Sequence, residues 1–467
     1  MSNKPEIPGQ PQTSRRQFLS QSQKAAGAAT AVSTLSSLIT PNVHAASTDT
    51  VQVALIGCGG RGTGAAANAL SLRDKGPIKL VAMADVFDNR LKSSFTSLSK
   101  AHPRKVDVPQ DRKFIGFDGY KKAMDCLKPG DIAIFTTPLA FRWVHFTYAI
   151  EKKLHVFMEK PLTADGPTSR LMIELAKKAS DNNLKVGVGL MSRHSRALEE
   201  LHGRIQDGEI GDIIAMRGYR MSGPVASCFS NKWPGTPSEL LWQISRFHSF
   251  PWLSGGCFND YYIHIVDHLC WMKNAWPVKA QAVGGRHYRG NHVDQNFDSY
   301  SVEYTFDDGA KLFMDGRCMA GAEQIYTSHI HGSKGLAIGS KRGDCGLPSS
   351  TYKGQLPDKA NQLWQSSVKI SERNPYVNEW NDLLDAIRND KPYNEVERGV
   401  YASLTCSLGR YAAHTGKEVT LKALLESKNV LAPGVEKLTM ESPPPLKSDK
   451  DGKYPVPQPG IVTDREY

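Results

Sequence analysis

The chain has 467 residues and carries 58 Lys and Arg against 47 Asp and Glu, a formal net charge of +11. With 40% hydrophobic and 22% charged residues it has the composition of a globular protein long enough for two domains, which excludes a disordered or collagen-like chain. The positive balance does not mark a nucleic-acid partner. Lys4, Arg15, Arg16 and Lys24 against Glu6 contribute +3 before residue 47, and the remaining +8 is scattered among acids with no basic helix or aromatic-interleaved stripe. Eight cysteines with no C-x-x-C pair exclude a zinc framework and a disulfide scaffold.

In chain order, residues 1–46 read as a leader rather than as part of the fold. Ser14-Arg15-Arg16-Gln17-Phe18-Leu19 is a twin-arginine pattern, an Ala/Ser/Thr/Leu stretch follows, and Val43-His44-Ala45 suits signal-peptidase cleavage. The stretch is too polar and short for a membrane span. A bacterial protein exported to the periplasm, already folded, is expected. Val51–Ile56 is an apolar run with the look of a doubly buried strand, and it meets Gly57, Gly59 and Gly62 before an Ala-rich helix. In that context a G-x-G-x-x-G pattern predicts a dinucleotide site: the first glycine for the turn, the second for backbone approach to a pyrophosphate, the third for helix packing. Gly60 and Arg61 complete the loop, and the helix N-terminus offers N–H groups to the phosphates. A second strand, Lys79–Ala84, ends at Asp85, about twenty residues on, where a carboxylate accepts from an adenosine ribose. A 2′-phosphate would meet that negative charge, so NAD is expected over NADP.

A helix over Asn89–Lys100, a strand over Asp131–Thr137 ending at Pro138, a helix over Phe141–Lys153 and a strand over His155–Met158 continue the alternation, which predicts a parallel doubly wound sheet over residues 50–186. Thr137, Pro138, Glu159 and Lys160 then fall beyond the C-terminal strand ends, beside the glycine loop. After Gly187 the pattern changes. A helix over Arg196–Gln206 is followed by alternating strands at Asp212–Met221, Val278–His287, Ser299–Phe306 and Lys311–Arg317, the last pair joined at Asp307-Asp308-Gly309. The class is therefore α/β: an N-terminal Rossmann domain plus a C-terminal α+β domain, residues 187–425, with a largely antiparallel open sheet. Helices are expected over Tyr376–Arg388 and Val400–Ala412. The proline-rich segment 426–467 reads as an extended arm, disordered or lying on a neighbouring subunit.

At Glu159-Lys160-Pro161 the chain resembles the Gfo/Idh/MocA family, named for glucose–fructose oxidoreductase and inositol dehydrogenase. Ser254-Gly255-Gly256, then Asp260, His264 and Asp267, match the family's glycine run and D-x-x-x-H-x-x-D signature. The likeness covers roughly residues 50 to 425. The family commonly carries a His shortly after the Thr-Pro; here Arg142 stands near that place and His145 three residues later. The second domain's antiparallel sheet is also what the resemblance implies.

Phe258–Met272 reads as a helix with Asp260 and His264 one turn apart on one face and Asp267 near it. Oxidation of an alcohol needs a proton acceptor and a group that stabilises the developing alkoxide. His264 suits the first role by its ordinary pKa. Lys160 suits the second, and Asp260 orients His264 or binds a substrate hydroxyl; the resemblance implies the same three roles. Arg193 and Asp267 are further candidates for substrate binding. His264 and His268 also have metal-ligand spacing, but a hydride mechanism needs no metal and none is expected. His329 and His331 read as hairpin surface. Trp233, Trp242 and Trp252 form either a sugar-stacking platform or, more simply, the small core of their own loop. The expected activity is hydride transfer between a tightly bound nicotinamide cofactor and a hydroxyl carbon of a sugar or cyclic polyol. The alternatives are an NAD-recycling glycosidase, working by oxidation, elimination, addition and reduction, and a non-catalytic dinucleotide-binding protein. An open sheet face needs a cover, so a homo-oligomer, dimer or tetramer, is expected.

Overall fold

The computed structural model describes residues 49–467 apart from Tyr288. The twin-arginine reading therefore lies outside the described residues. Two sheets organise the described chain. The first is parallel: β1 (Val51–Ile56), β2 (Ile78–Asp85), β3 (Lys113–Ile115), β4 (Ile132–Phe135), β5 (His155–Met158) and β6 (Val186–Val188), in the order β3-β2-β1-β4-β5-β6. The inner strands are apolar runs because helices cover both of their faces, so each side chain is buried whichever way it points. The order reverses at β1 and β4, and the loops leaving their C-terminal ends part there to open a crevice. One of those loops runs into α1 (Gly60–Ser71), and α2 (Asp88–Ala101) follows β2. The helix expected over Phe141–Lys153 is α3 (Arg142–Glu151).

The second sheet is mixed and mostly antiparallel. It comprises β7 (Ile213–Ser222), β8 (Lys279–Gly285), β9 (Ser299–Thr305), β10 (Lys311–Cys318), β11 (Ile325–Gly332), β12 (Gly335–Ser340), β13 (Ser350–Lys353), β14 (Gln362–Gln365) and β15 (Val419–Thr420). Their order is β14-β13-β12-β11-β7-β10-β9-β8-β15, with β10 parallel to β7. Strict alternation sorts the faces. Tyr300, Val302 and Tyr304 with Leu312 and Met314 point inward against α4 (Ile263–Lys273) and α6 (Val396–Thr415). Ser301, Glu303, Phe313 and Asp315 point outward.

Two segments depart from the sequence reading. Helix α5 (Pro375–Arg388), expected in the second domain, returns to the first sheet: Trp380, Leu383, Leu384 and Ile387 join its core, with Trp380 stacked 4.5 Å from Phe157. The segment after residue 426, expected as a disordered or partner-bound arm, packs on its own chain instead. Tyr454 and Leu446 meet Trp242, Phe250 and Trp252 in one apolar cluster, and Glu466 is 5% exposed. Prolines stiffen this stretch but do not keep it off the surface, because its apolar residues find cover there. No helix among the described residues is long and apolar enough to cross a membrane. All eight cysteines are unpaired thiols, six of them buried.

Candidate active site

The glycine loop has the geometry its residue types require. Gly57 has φ +95°, and a Cβ there would lie 2.8 Å from Thr136 Oγ1 and Thr137 N. A Cβ on Gly62 would lie 2.0 Å from the Gly57 carbonyl oxygen, so this glycine lets α1 close against the loop. Positions 59 and 60 meet nothing within 4 Å, which leaves space over the uncapped N-terminus of α1. These residues, with Arg61, Asp85, Thr137 and Pro138, line a cavity of about 800 Å³. Open backbone N–H groups, a glycine cradle and a carboxylate at the end of β2 fit a dinucleotide. The Asp85 carboxylate accepts from Cys58 N at 2.6 Å and Phe87 N at 2.8 Å. Burial pushes its pKa up, and those N–H groups oppose the shift.

Glu159 and Lys160 do not line this cavity. Arg61 connects the loop to them: its Nε donates to Glu159 at 2.7 Å, and its guanidinium lies 3.9 Å from Glu379 and 4.6 Å from the centre of the Tyr376 ring. Arg142 is fully buried and donates to the carbonyls of Phe135 (2.9 Å) and Thr137 (3.0 Å). It holds the Thr137-Pro138 turn from behind, while His145, 3.3 Å from Thr137 Oγ1, reaches the cavity wall.

Lys160, Asp260 and His264 come together. Lys160 Nζ donates to the Asp260 carbonyl at 2.6 Å and lies 3.5 Å from its carboxylate. The expected helix begins as a π turn, Phe258–Tyr262, before α4. Such turns carry an i→i+5 ladder, and across this one Asp260 and His264 still act on each other's charge. The Asp260 carboxylate faces Lys160 and His248 Nε2 (3.3 Å), and the carboxylate beside His264 Nδ1 is Asp344, at 3.7 Å. Asp344 in turn accepts from the Tyr326 hydroxyl at 2.5 Å. Although buried, Asp260 is held well below the usual carboxylate range by the charges of Lys160 and His248 around it. Burial, then the Lys160 charge, pushes His264 down to about 4, so it is a neutral imidazole at neutral pH. His248 also lines the 800 Å³ cavity, and so joins the glycine-loop space to the Lys160 cluster.

The structure gives Arg193 and Asp267 to each other. Arg193 donates through Nε and Nη2 at 2.8–3.1 Å, and Asp267 is fully buried. The spacing put Asp267 near the face of Asp260 and His264; the structure instead holds its carboxylate in the core against Arg193, since a buried carboxylate needs a cation. His268, bonded to Ser328 Oγ at 2.9 Å, is likewise occupied inside the core. Among the described residues no group of three His, Cys, Asp or Glu could hold a metal ion. Trp242 and Trp252 are core residues, the latter donating to Gln243 at 2.8 Å. Sequence reasoning missed His248, Asp344 and Tyr326. None belongs to a motif; each reaches the site from a turn or strand remote in sequence.

Residues 198–338 match the model of the GFO/IDH/MocA C-terminal domain. A 125-residue stretch is 27% identical to inositol 2-dehydrogenase from Corynebacterium glutamicum; it covers 27% of this chain and about a third, 35%, of that relative's length. Among solved structures, levoglucosan dehydrogenase in complex with NADH and levoglucosan superposes with a TM-score of 0.60 at 16% identity, covering 80% of this chain and all of that one. Aldose-aldose oxidoreductase from Caulobacter crescentus, complexed with glycerol, superposes with a TM-score of 0.61 at 16% identity over the same shares. The chain thus combines a GFO/IDH/MocA C-terminal domain match over residues 198–338 with the two-sheet fold of these oxidoreductases.

Proposed function

We propose that the protein is a nicotinamide-dependent oxidoreductase that moves hydride between a tightly held cofactor and a hydroxyl carbon of a sugar or cyclic polyol. The observation that carries this reading is the meeting of Lys160, Asp260 and His264 beside a glycine-loop cavity that shares His248 with them. Gly57, Gly59, Gly60 and Gly62 would hold the pyrophosphate, with Asp85 toward the adenosine ribose, which favours NAD over NADP. When bound, the nicotinamide supplies the hydride acceptor. The neutral His264 takes the hydroxyl proton at Nε2 while Nδ1 faces Asp344. Lys160, already turned toward Asp260, donates to the reacting oxygen and stabilises negative charge there. Asp260 keeps its own charge and accepts from a neighbouring substrate hydroxyl. The names of the similar proteins, an inositol dehydrogenase, a levoglucosan dehydrogenase and an aldose–aldose oxidoreductase, support a polyhydroxylated substrate.

The same reading has the chain exported by the twin-arginine route to the periplasm, on the strength of Arg15-Arg16, and self-associating through the outer face of the second sheet, where Val283 is 72% exposed. The test is to release and identify any nucleotide from purified protein, then follow nicotinamide absorbance with a panel of inositols and sugars. Net reduction by a polyol supports the proposal. Release of a glycoside's aglycone without net reduction would make it a recycling glycosidase. No bound nucleotide and no response would leave a non-catalytic protein.

A further inference from the structure

Arg410 is 1% exposed, on the almost wholly buried helix α6. Taking a guanidinium out of water costs several kcal/mol unless each donor finds an acceptor. Here all five N–H bonds are met. Nε and Nη2 each donate to Glu466 at 2.8 Å. Nη2 also donates to the Ala164 carbonyl at 2.7 Å, and Nη1 to the Gly255 carbonyl at 3.0 Å and Asn259 Oδ1 at 2.7 Å. Ala164 is four residues beyond Lys160, and Asn259 directly precedes Asp260. One cation thus ties together the two segments that present the proposed catalytic pair. Gly255 has no room for a side chain: its Cβ would come 2.9 Å from Arg410 Nη1.

Glu466 makes this staple possible. It is the only carboxylate paired with Arg410 among the described residues, and Oε2 also meets His414 Nδ1 at 2.7 Å. The segment that delivers Glu466 is fastened nearby: Asp464 accepts through its carbonyl from Tyr411, and Leu431 N donates to Asp165 at 2.9 Å. We propose that Glu466, brought in from a segment remote in sequence from both site loops, is a positioning residue for the Lys160–Asp260 pair, acting through Arg410. The inference rests on the reading of that pair as catalytic. A bidentate, fully desolvated ion pair fixes the guanidinium plane, and the plane sets where its three remaining donors pull the two loops. An Å-scale error between reacting groups costs large factors in rate.

The experiment separates positioning from plain stability. Glu466→Gln is compared with Glu466→Asp and with the double variant Arg410→Met/Glu466→Met, which removes both buried charges together so that neither is left unpaired. Glu466→Gln should lower kcat by about tenfold or more with NAD affinity unchanged, and Glu466→Asp should recover most of it. The double variant should keep the parent's NAD affinity yet retain the low kcat. In hydrogen exchange, residues 160–166 and 255–262 of the double variant should exchange faster while residues 57–62 do not change. A double variant with the parent's turnover and the parent's exchange pattern would overturn the proposal. If no sugar or polyol is turned over even by the parent protein, the oxidoreductase reading fails, and the exchange experiment alone decides whether the pair holds those two loops.

Discussion

The glycine-loop cavity and the Lys160 crevice adjoin one another but are built by different means. The glycine cradle of the cavity is local. Its turn, its open helix N-terminus and its carboxylate come from one strand–loop–helix–strand unit, and its chemistry is mostly backbone. The crevice is assembled from five stretches, near residues 160, 248, 260, 344 and 466, and its chemistry is side-chain charge held by other charge. The cradle is set by short-range contacts; the crevice depends on partners several elements away.

The largest effect that would sharpen this contrast is at the crevice. Lys160→Ala or His264→Ala should each cost about 10²–10⁴ in turnover while leaving nucleotide binding intact, measured by steady-state kinetics and fluorescence titration. A variant that kept full rate would break the assignment. On the other side, Gly62→Ala puts a methyl 2.0 Å from the Gly57 carbonyl. It should abolish nucleotide binding and destabilise the protein by about 1–3 kcal/mol in urea unfolding, because backbone must move to admit the methyl.

A third test concerns the seam where β6 meets α5. His194 lies between Asp382 (2.7 Å) and Glu395 (3.3 Å). Burial opposes its charge, but these carboxylates raise its pKa to about 9. A folded-state pKa above the unfolded value stabilises fully below the unfolded pKa and is lost as pH rises through the folded one. About 3 kcal/mol should therefore disappear between roughly pH 6.5 and 9.5, and His194→Gln should flatten that limb. The smallest expected effect is on His264 itself. Asp344→Asn should slow turnover roughly tenfold, through loss of about 1.5 kcal/mol of charged contact. In the parent protein the acid limb of the pH–rate profile should fall near 4 rather than near the usual histidine value, since His264 must be neutral to accept a proton.

The contrast also explains what could be read in advance. Gly57 and Gly62 take the turn and packing places that their spacing predicts, and Asp85 ends β2, because a turn and a helix start are short-range objects. The alternating strand expected over Ser299–Phe306 is β9 for the same reason, and its alternation sorts Tyr300, Val302 and Tyr304 inward. Periodicity put Asp267 near the face of Asp260 and His264 and could not say that Arg193 would hold it in the core. His248 and Asp344 carry no local signal, since their roles arise only when a turn after Ser245 and a loop after β12 converge on α4. A count of prolines could not show that residues 426–467 supply Tyr454 to an aromatic cluster and Glu466 to Arg410. The π turn was hidden as well, since the composition of Phe258–Tyr262 is that of an ordinary helix.

The unpaired cysteines have a consequence for where such a chain can mature. With all eight thiols free, no covalent cross-link has to wait for an oxidising environment. Both sheets, and the glycine cradle between β1 and α1, can therefore close while the chain is still in reducing surroundings.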